Sequence, residues 1–600
     1  MFLLWGKHIR KYYPIYFIFF LIGLASLVTV DYFQFRIPEI LGNIVDIIRT
    51  EGSIDPNSSE FMNLIEQVLL VAAILFVGRI IWRVSLFFAS HRIEERIRDE
   101  MYQKAERLDL SYFHETKVGT IMSWFTNDIE TLQEFLGWGT LMMIDGVFLT
   151  ALSLTKMFML HVNLAIITMI PVALIILWGA LVEKKMSKLW ELRQESNDYL
   201  WDFSQENFTG IRVIKAFVKE NQQIIAFSKL ARKNKDINIK FTYVHIFFDA
   251  MIELIIAIIV AILIGFGGYF VYGTVTGNPI TMFGSTIDLT PGELVTFYGY
   301  FSTAIWPLIA LGQVVTMFSK ARTSYKRIAN FLDSEERLIE AENAVEFEAK
   351  GKISFNHFSF RFKDNDVDSL SNISLTINPG ESVGVIGAIG SGKSTLVNSL
   401  VRLFNIEKGQ LFIDDVDIMD IKVSSVRNNI SIAPQDNFLF SDTIRNNIAF
   451  SDVESDIEKV KEAASFAGVD EDIEGFSEGY DSLMGENGHT VSGGQKQRIS
   501  LARAYFKNTP ILILDDSVSA VDLKTEETIL ANIKEKRQGK TTIIIASRVS
   551  TVMELDKVIV LNKGNLEDFD TPANLKKKDG TFARMALLQE LEKEKGANNG

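Results

Sequence analysis

A glycine-rich loop holds the residues with the clearest capacity for chemistry. The chain reads Gly387-Ala-Ile-Gly-Ser-Gly-Lys-Ser394, between a run typical of a strand and a stretch typical of a helix, which is the setting of a phosphate-binding loop. Its glycines let backbone N–H groups turn towards phosphates. Lys393 is expected to reach the β- and γ-phosphate oxygens, and the Ser394 hydroxyl to bind Mg²⁺. The predicted nucleotide-binding residues of the loop are Gly387, Gly390, Ser391, Gly392, Lys393, Ser394 and Thr395.

Two further motifs indicate nucleotide chemistry. The apolar run Ile511–Leu514 ends at Asp515 and Asp516, and a carboxylate at a strand end beside a phosphate loop suits Mg²⁺ coordination through water, a role predicted for Asp515. About 20 residues earlier, Val491-Ser-Gly-Gly-Gln495 precedes the start of a basic helix. A Ser-Gly-Gly triplet alone is commonly a plain turn, but at this spacing it is diagnostic. The chain contains no Cys, which excludes thiolate metal sites and cysteine nucleophiles.

The elements that position these motifs follow an alternating pattern. From Ile353 onwards, short β-rich runs alternate with amphipathic helical stretches, which predicts an α/β domain with a mainly parallel sheet. The predicted strands include Ser382–Ile386, Ile511–Leu514, Thr541–Ile545 and Lys557–Leu561. We therefore expect an α/β P-loop nucleotide-binding domain over residues 351–600, preceded by an acidic linker over 336–350.

The first half of the chain contains six apolar segments of the length that a bilayer crossing needs, roughly 20 residues. Four are free of charged residues, at Tyr12–Val30, Met157–Val182, Leu254–Ile287 and Leu294–Ser319, and two include charges, at about Phe61–Ser90 and Phe135–Thr155. This pattern predicts an all-α six-helix transmembrane domain over residues 1–335. Ionisable residues in or beside the spans are candidates for a cavity role, although they could instead pair or lie at span ends: Arg79, Arg83, Asp145, Asp249 and Glu253.

The distribution of charge predicts the topology. Lys and Arg concentrate before the first span and in residues 91–120 and 183–240, and they are absent from residues 241–319, which predicts cytoplasmic termini and short external loops. The two basic segments read as long cytoplasmic extensions of membrane helices, with turns near Ser111–Gly119 and Asn207–Lys215. The formal net charge of −14 argues against a nucleic-acid partner.

The motifs and their order resemble those of half-transporters of the ATP-binding cassette superfamily, of the six-span exporter type, over nearly the whole chain. The resemblance implies ATP and Mg²⁺ as ligands, a second such chain as partner, and coupling helices at the two cytoplasmic turns. It implies that Phe362 stacks on adenine, that Gln435 links Mg²⁺ to the membrane domain, and that Glu486 contacts the intracellular helices. The residues implied to face the partner cassette are Asp522 and the signature residues Ser492, Gly493, Gly494 and Gln495, which complete the partner's ATP site.

Two residues depart from the pattern of similar cassettes. In similar cassettes a Glu that acts as general base follows the metal-binding Asp, and this chain has Asp516 at that position. The Asp side chain is one methylene shorter than Glu. A general base must come within about 2.6–3.2 Å of the proton that it removes. Where similar cassettes have a His near the γ-phosphate, this chain has Ser547. Together with the intact signature, these departures resemble the degenerate-site subunit of a heterodimeric bacterial multidrug exporter, whose partner would carry Glu and His but an altered signature.

We therefore expect ATP-driven export of amphipathic drugs or lipids across a bacterial cell membrane, with hydrolysis mainly at the partner-based site. The aromatic and Met content of the spans suits hydrophobic substrates, and it suits contact with lipid equally well. Two alternatives stay open. One is a regulatory or gating subunit, in which ATP binding changes the conformation without transport. The other is a homodimeric lipid or peptide exporter with two slow sites.

Overall fold

The computed structural model describes residues 6–51, 59–278, 280–282, 285–336, 338, 340–362, 366–485, 491–518 and 521–598. The chain divides into two compact units, one formed by Met1–Gln103 with Gly119–Asp333 and the other by Lys104–Val118 with Ser334–Gly600. The second unit therefore includes a short piece of the membrane half. In it, the Lys104 ammonium lies 3.1 Å from the Glu336 carboxylate.

Long helices dominate the membrane half, and six helical segments are long and apolar enough to cross a membrane, which confirms the six predicted spans. Helices α1 to α13 are Lys7–Arg10, Tyr13–Gln34, Arg36–Glu51, Ser59–Arg107, Leu110–Glu115, Val118–Ser123, Ile129–Glu134, Thr140–Ile144, Thr150–Leu160, Val162–Thr209, Ile211–Ala216, Glu220–Val275 and Pro291–Leu332. Three π-helical turns interrupt the third span, at Trp124–Asp128, Phe135–Gly139 and Asp145–Leu149. A hairpin of β1 (Ile280–Met282) and β2 (Ser285–Ile287) precedes the last span.

The basic segments form helices that extend well beyond the apolar spans. α4 continues to Arg107, α10 continues to Thr209, and α12 begins at Glu220. Short helices occupy both predicted turns, α5 after Asp109 and α11 after Gly210. The Asp109 carboxylate starts α5 by accepting a hydrogen bond from the Tyr112 N–H group at 3.3 Å, which satisfies a backbone donor at the helix end.

Glycine contacts and a charge cluster hold the first unit together. A Cβ atom at Gly292 of α13 would lie 2.1 Å from the Gly42 carbonyl oxygen of α3, so the two helices approach closely only because both residues are glycine. The Glu39 carboxylate accepts hydrogen bonds from Lys156 Nζ and Tyr300 Oη, each at 2.7 Å. This carboxylate thereby links α3, α9 and α13, with a cation to balance its charge.

A ten-stranded sheet forms the centre of the second unit, in the order β7-β6-β3-β4-β12-β11-β5-β10-β9-β8. Strands β3 to β12 are Ile353–Phe360, Leu370–Ile377, Ser382–Gly387, Leu411–Ile413, Val416–Asp417, Ile430–Ala433, Ile511–Asp515, Thr541–Ile545, Lys557–Asn562 and Asn565–Asp570. The block β11-β5-β10-β9-β8 is parallel and contains all four predicted strands. The sequence pattern did not reveal the antiparallel pairings of β3, β4, β6, β7 and β12.

The central strand β9 is buried on both faces. Ile511 and Ile513 belong to one apolar core, whereas Leu512 and Leu514 belong to the other. Because a slip by one residue would exchange the two faces, this packing determines where Asp515 stands at the strand end. Helices α14 to α23 of this unit are Lys393–Leu400, Val423–Asn429, Ile444–Ile448, Ile457–Phe466, Asp470–Glu474, Gly493–Phe506, Leu523–Lys536, Val549–Val552, Pro572–Lys577 and Thr581–Asn598.

We expect Leu512→Ala to lower the free energy of unfolding of the second unit by about 3 kcal/mol, because the side chain is fully buried and its removal leaves a cavity. Denaturant unfolding of the detergent-solubilised full chain, followed by circular dichroism, measures the change. Leu587→Ala is the matched control, because that side chain is 57% exposed and its loss should change stability by less than about 0.5 kcal/mol. Equal effects of the two substitutions would contradict the packing of β9.

Candidate nucleotide-binding site

Three adjacent parallel strands end at one edge of the sheet and carry most of the predicted site. β10 lies between β5 and β9, with Ile545 in register with Val385 on one side and Asp515 on the other. The phosphate loop follows β5, Asp516 follows β9, and Ser547 comes just after β10. Since the carboxyl ends of parallel strands share an edge, residues far apart in the chain come together there.

The glycines of the phosphate loop are required by its backbone. A Cβ atom at Gly387 would lie 2.3 Å from the Leu561 carbonyl oxygen, so no side chain fits where β5 ends. Gly390 and Gly392 have φ angles of 79° and 96°, a left-handed region that other residues rarely adopt. Gly392 is also the N-cap of α14. The loop therefore leads directly into a helix N-terminus, where backbone N–H groups favour phosphate.

Lys393 lies over its own loop. Its Nζ atom donates hydrogen bonds to the carbonyl oxygens of Gly387 at 2.9 Å and Ala388 at 3.0 Å. Burial lowers the pKa of Lys393, and the nearby carboxylates of Asp515 and Asp516 oppose that shift. The ammonium group is thus held where a β- or γ-phosphate oxygen can replace the two carbonyl oxygens.

The predicted Mg²⁺ ligands offer a consistent set of oxygen donors. Asp515 is almost fully buried at the end of β9, where burial raises its pKa and a hydrogen bond from the Ser394 hydroxyl opposes the shift. Ser394 and Gln435 line the same cleft as Asp515. A hydroxyl, a carboxylate and an amide oxygen suit Mg²⁺, which prefers oxygen ligands and keeps several waters. When bound, Mg²⁺ would neutralise phosphate charge.

A cleft of about 680 Å³ brings most of the predicted site together. Its lining includes the predicted residues Gly390, Ser391, Gly392, Lys393, Ser394, Thr395, Gln435, Asp515, Asp516 and Ser547. It also includes residues that sequence reasoning missed, namely Val367, Asp368, Ser369, Ile389, Ile545, Ala546, Lys563 and Gly564. The missed residues come mainly from turns that adjoin the phosphate loop in space only.

The turn between β11 and β12 is the clearest of the missed elements. Lys563 and Gly564 have φ angles of 49° and 81°, as a tight hairpin turn requires. The Gly564 N–H group donates a hydrogen bond to the Ser391 carbonyl oxygen at 3.2 Å, so the hairpin supports the phosphate loop from outside. The Lys-Gly dipeptide between two β-rich runs is the signal that could have predicted this turn.

The two departing residues contact each other. The Ser547 hydroxyl donates a hydrogen bond to Asp516 Oδ1 at 3.5 Å. The Asp516 backbone is held on both sides, because its N–H group donates to the Ile545 carbonyl oxygen at 3.1 Å and its carbonyl oxygen accepts from Gln497 Nε2 at 2.7 Å. Its φ of 50° is left-handed, which Asp tolerates better than most residues. The Asp516 carboxylate therefore extends from a backbone that two hydrogen bonds hold in place.

The signature residues lie at the N-terminus of α19, outside the cleft. Ser492 and Gln495 form a reciprocal cap, in which the Ser492 hydroxyl accepts from the Gln495 N–H group at 3.3 Å and the Ser492 N–H group donates to Gln495 Oε1 at 3.0 Å. Gln495 Nε2 also donates to Asp472 at 2.9 Å. Ser492 and Gly493 are exposed. They lie at the N-terminus of α19, a helix of 14 residues, where free N–H groups and the helix dipole favour anions.

The remaining predicted residues have other surroundings. Of the described residues, those that line the cleft do not include Phe362, whose ring packs 4.9 Å from Phe360 and 5.3 Å from Phe404. Asp522 caps α20 by accepting hydrogen bonds from the Thr525 N–H group and hydroxyl at 3.0 and 2.8 Å. Glu486 lies outside the described residues. The adenine, partner-facing and coupling roles of these three residues stay predictions.

Known proteins share both halves of this chain. Residues 19–308 match the ABC transporter transmembrane region, and residues 370–519 match the ABC transporter family. The probable multidrug resistance ABC transporter ATP-binding/permease protein YheI of Bacillus subtilis is 28% identical over 98% of this chain and 97% of its own length. The ATP-dependent lipid A-core flippase of Syntrophus aciditrophicus is 31% identical over 86% of this chain and 84% of its own. The chain belongs to the ABC transporter family.

The fold of this ABC transporter is also that of a solved structure. A bacterial Atm1-family ABC exporter with ATP bound matches it with a TM-score of 0.75 and 23% sequence identity, over 97% of this chain and 98% of the other. The likeness confirms the predicted order of a six-helix membrane half followed by a sheet-containing nucleotide-binding half. ATP-binding domains of ABC transporters bind ATP, generally with Mg²⁺, and the predicted phosphate and metal ligands Lys393, Ser394 and Asp515 line the cleft.

We expect Asp515→Asn to abolish the Mg²⁺ dependence of ATP binding, because the neutral amide removes the buried negative charge at the predicted metal site. In the wild-type chain, removal of Mg²⁺ with a chelator should weaken binding of a fluorescent ATP analogue by about tenfold, and in the variant it should have little effect. Asp579→Asn, whose side chain is 92% exposed, is the matched control and should behave as wild type. Unchanged Mg²⁺ dependence in Asp515→Asn would exclude this carboxylate as a metal ligand.

Proposed function

We propose that this chain is one half of a heterodimeric ABC exporter that uses ATP to move amphipathic drugs or lipids out across the plasma membrane. Its own site binds ATP with Mg²⁺ but hydrolyses it slowly, and its signature loop completes the active site of a second half-transporter. The observation that carries the proposal is the contact between Asp516 and Ser547, the residues that stand where similar cassettes have Glu and His, at the wall of the cleft that also contains Lys393 and Asp515.

Slow hydrolysis at this chain's own site follows from the reach and charge of these two side chains. The Asp516 backbone is tied to Ile545 and Gln497, so it cannot advance to compensate for a side chain one methylene shorter than Glu. A shortfall of about 1 Å can slow a reaction by about two orders of magnitude. The Ser547 hydroxyl cannot carry the positive charge with which a His would stabilise the γ-phosphate.

The signature end of α19 supports a role in the partner's site. A Cβ atom at Gly493 would have no neighbour within 4 Å, so an approaching phosphate group meets open backbone. The reciprocal cap between Ser492 and Gln495 fixes the orientation of the first N–H groups of the helix. Because these residues are exposed and lie outside the chain's own cleft, a nucleotide held by a second cassette is the ligand that suits them.

The membrane half and the relatives support an amphipathic substrate. The relatives are named for multidrug resistance and for flipping of a lipid A core, and both compound classes combine apolar and polar parts. Large apolar side chains such as Leu69 and Met159 are exposed on the spans, as contact with lipid requires. Lys and Arg concentrate in the segments predicted to be cytoplasmic, which supports a nucleotide-binding half inside the cell.

Restoring the two catalytic side chains should activate this chain's own site. We expect Asp516→Glu combined with Ser547→His to raise ATP turnover of the reconstituted pair, whereas Asp516→Ala should change it by less than about twofold, because hydrolysis occurs mainly at the other site. The partner is the half-transporter of the same organism that carries Glu and His, and phosphate release measures turnover. High turnover by this chain alone, or a large loss in Asp516→Ala, would contradict the heterodimer with one slow site.

Loss of the signature hydroxyl should impair the partner's site selectively. We expect Ser492→Ala to reduce ATP turnover of the pair by about 100-fold, with ATP binding by this chain alone unchanged. Thr571→Ala is the matched control, since Thr571 caps α22 through a similar hydrogen bond to the Asn574 N–H group and its loss costs about 1 kcal/mol of helix stability. Weaker ATP binding by the isolated Ser492→Ala chain would contradict a role in the partner's site.

A further inference from the structure

Two carboxylic acids, one buried and one half-buried, lie among the apolar spans of the first unit. Asp31, near the end of α2, has 3% of its surface exposed, and its Oδ2 atom has no hydrogen-bond partner. Asp145 opens the π-helical turn of residues 145–149, and its Oδ1 atom is likewise buried without a partner. α2 packs against this turn, and the two carboxyl groups are close enough to interact electrostatically.

Neither acid has a counter-charge, in contrast to Glu39 in the same unit. Among the described residues, no ion pair includes Asp31 or Asp145. The adjoining helices α3 and α9 carry the cations Arg36 and Lys156, and both bind the Glu39 carboxylate, at 2.9 and 2.7 Å. Cations thus balance the Glu39 carboxylate, whereas Asp31 and Asp145 have none in the described part of the chain.

The other helices packed on this site supply no cation either. On α4, Arg79 and Arg83 are exposed, and the Arg83 guanidinium lies over the Trp82 ring. α13 packs against the same π-helical turn, and it has no charged residue between Glu293 and Lys320. The other ionisable residues of α3 and α4 near the spans are exposed or bound elsewhere, namely Asp46, which binds Thr290 and Gly292, and the exposed Arg49, Glu66 and His91.

Two ionised carboxylates cannot remain side by side in such surroundings. Burying one unpaired charge in a membrane domain costs at least several kcal/mol, and a second like charge beside it adds repulsion. A proton on one of the two carboxyl groups removes the repulsion and one of the two burial costs. We propose that Asp31 and Asp145 form a proton-binding site inside the membrane domain, in which the two carboxyl groups share one proton.

A proton suits this site better than a metal ion or an organic cation. Metal cations of biological size require about six oxygen ligands, and the backbone carbonyls of the surrounding helices are engaged in helical hydrogen bonds. The burial of Asp31 leaves no space for an amine-bearing substrate. A proton needs only a carboxyl oxygen to bind to, and each of the two acids has a buried oxygen without a partner.

The site connects proton binding to conformation. It exists only while α2 packs against the π-helical turn, since separation would leave each carboxyl group without the other. The packed arrangement therefore binds a proton more tightly than a separated one, and by linkage low pH favours packing and high pH favours separation. This consequence concerns the spans alone and does not depend on which compound is transported or on the catalytic rate of either ATP site.

The test is chemical labelling of the full-length chain in lipid nanodiscs with dicyclohexylcarbodiimide, which reacts with protonated carboxyl groups in apolar surroundings. We expect mass spectrometry to locate the label on Asp31 or Asp145, and labelling to fall by about tenfold for each pH unit above its midpoint. Glu39, which is paired with Lys156, is the internal control and should stay unlabelled at every pH. Absence of label from both acids at every pH would overturn the proposal.

Substitution of one acid tests the sharing of the proton. In Asp31→Asn, labelling of Asp145 should shift to lower pH by about one unit or more, because the like charge that favoured protonation is gone, and Asp145→Asn should act in the same way on Asp31. Asp249→Asn, on α12 with a side chain 54% exposed, is the matched control and should leave the midpoint unchanged. An unchanged midpoint in both pair variants would overturn sharing.

The identity of the cation is tested in the wild-type chain, where no variant has to fold. Labelling should be the same in sodium chloride and in choline chloride at fixed pH if the site binds a proton. Protection by sodium but not by choline would overturn the proposal in favour of a metal-cation site. The pH profile of wild-type labelling and the salt comparison remain decisive even if both substitutions prevent folding.

Discussion

The nucleotide site depends on the register of three parallel strands, β5, β10 and β9, which end at one edge of the sheet. β9 is buried on both faces, and a shift of its pairing by one residue would exchange the side chains of the two faces. Its pairing is therefore fixed, and Asp515 lies beside the loop that follows β5. The glycines then bring backbone N–H groups to the positions where side chains would collide. Phosphate and Mg²⁺ chemistry is therefore a consequence of sheet packing, and any change in that packing affects the site.

The same register explains why the two departing residues act as a pair. β9 and β10 are neighbours, so the residues that follow them, Asp516 and Ser547, meet at the cleft wall. Gln497 of α19 holds the Asp516 carbonyl oxygen, and the same helix presents the signature residues at its other end. One helix thus joins the chain's own cleft to the surface proposed to complete the partner's cleft.

Carboxyl groups in the membrane half have two kinds of surroundings. Glu39 is half-buried beside Lys156 and Tyr300, so its charge is matched and it serves to join three helices. The buried Asp31 and the half-buried Asp145 have no such partners among the described residues, which is the basis for the proton that we propose there. The contrast lies within one unit and arises from which side chains the helix packing brings together.

The sequence by itself determined whatever depends on local order along the chain. The spacing of Gly387, Lys393 and Ser394, the apolar strand before Asp515 and the number of spans could be read directly, because covalent connectivity and helix or strand periodicity place those residues relative to one another. The span bounds could not, since the predicted span Leu254–Ile287 includes the β1–β2 hairpin that follows α12. The pairing of β3 with β6 had no comparable signal, because about 50 residues of chain separate the two strands.

Only the tertiary structure decided what meets across long distances in sequence. It placed the turn of Lys563 and Gly564 under the phosphate loop, the Phe362 ring against Phe404, and Asp31 beside Asp145. Asp145 could be singled out as a charge within a span, but Asp31 at the end of the first span gave no comparable signal. The physical reason is that the consequence of a buried charge depends on its neighbours, and these are chosen by packing between helices rather than by position in the chain.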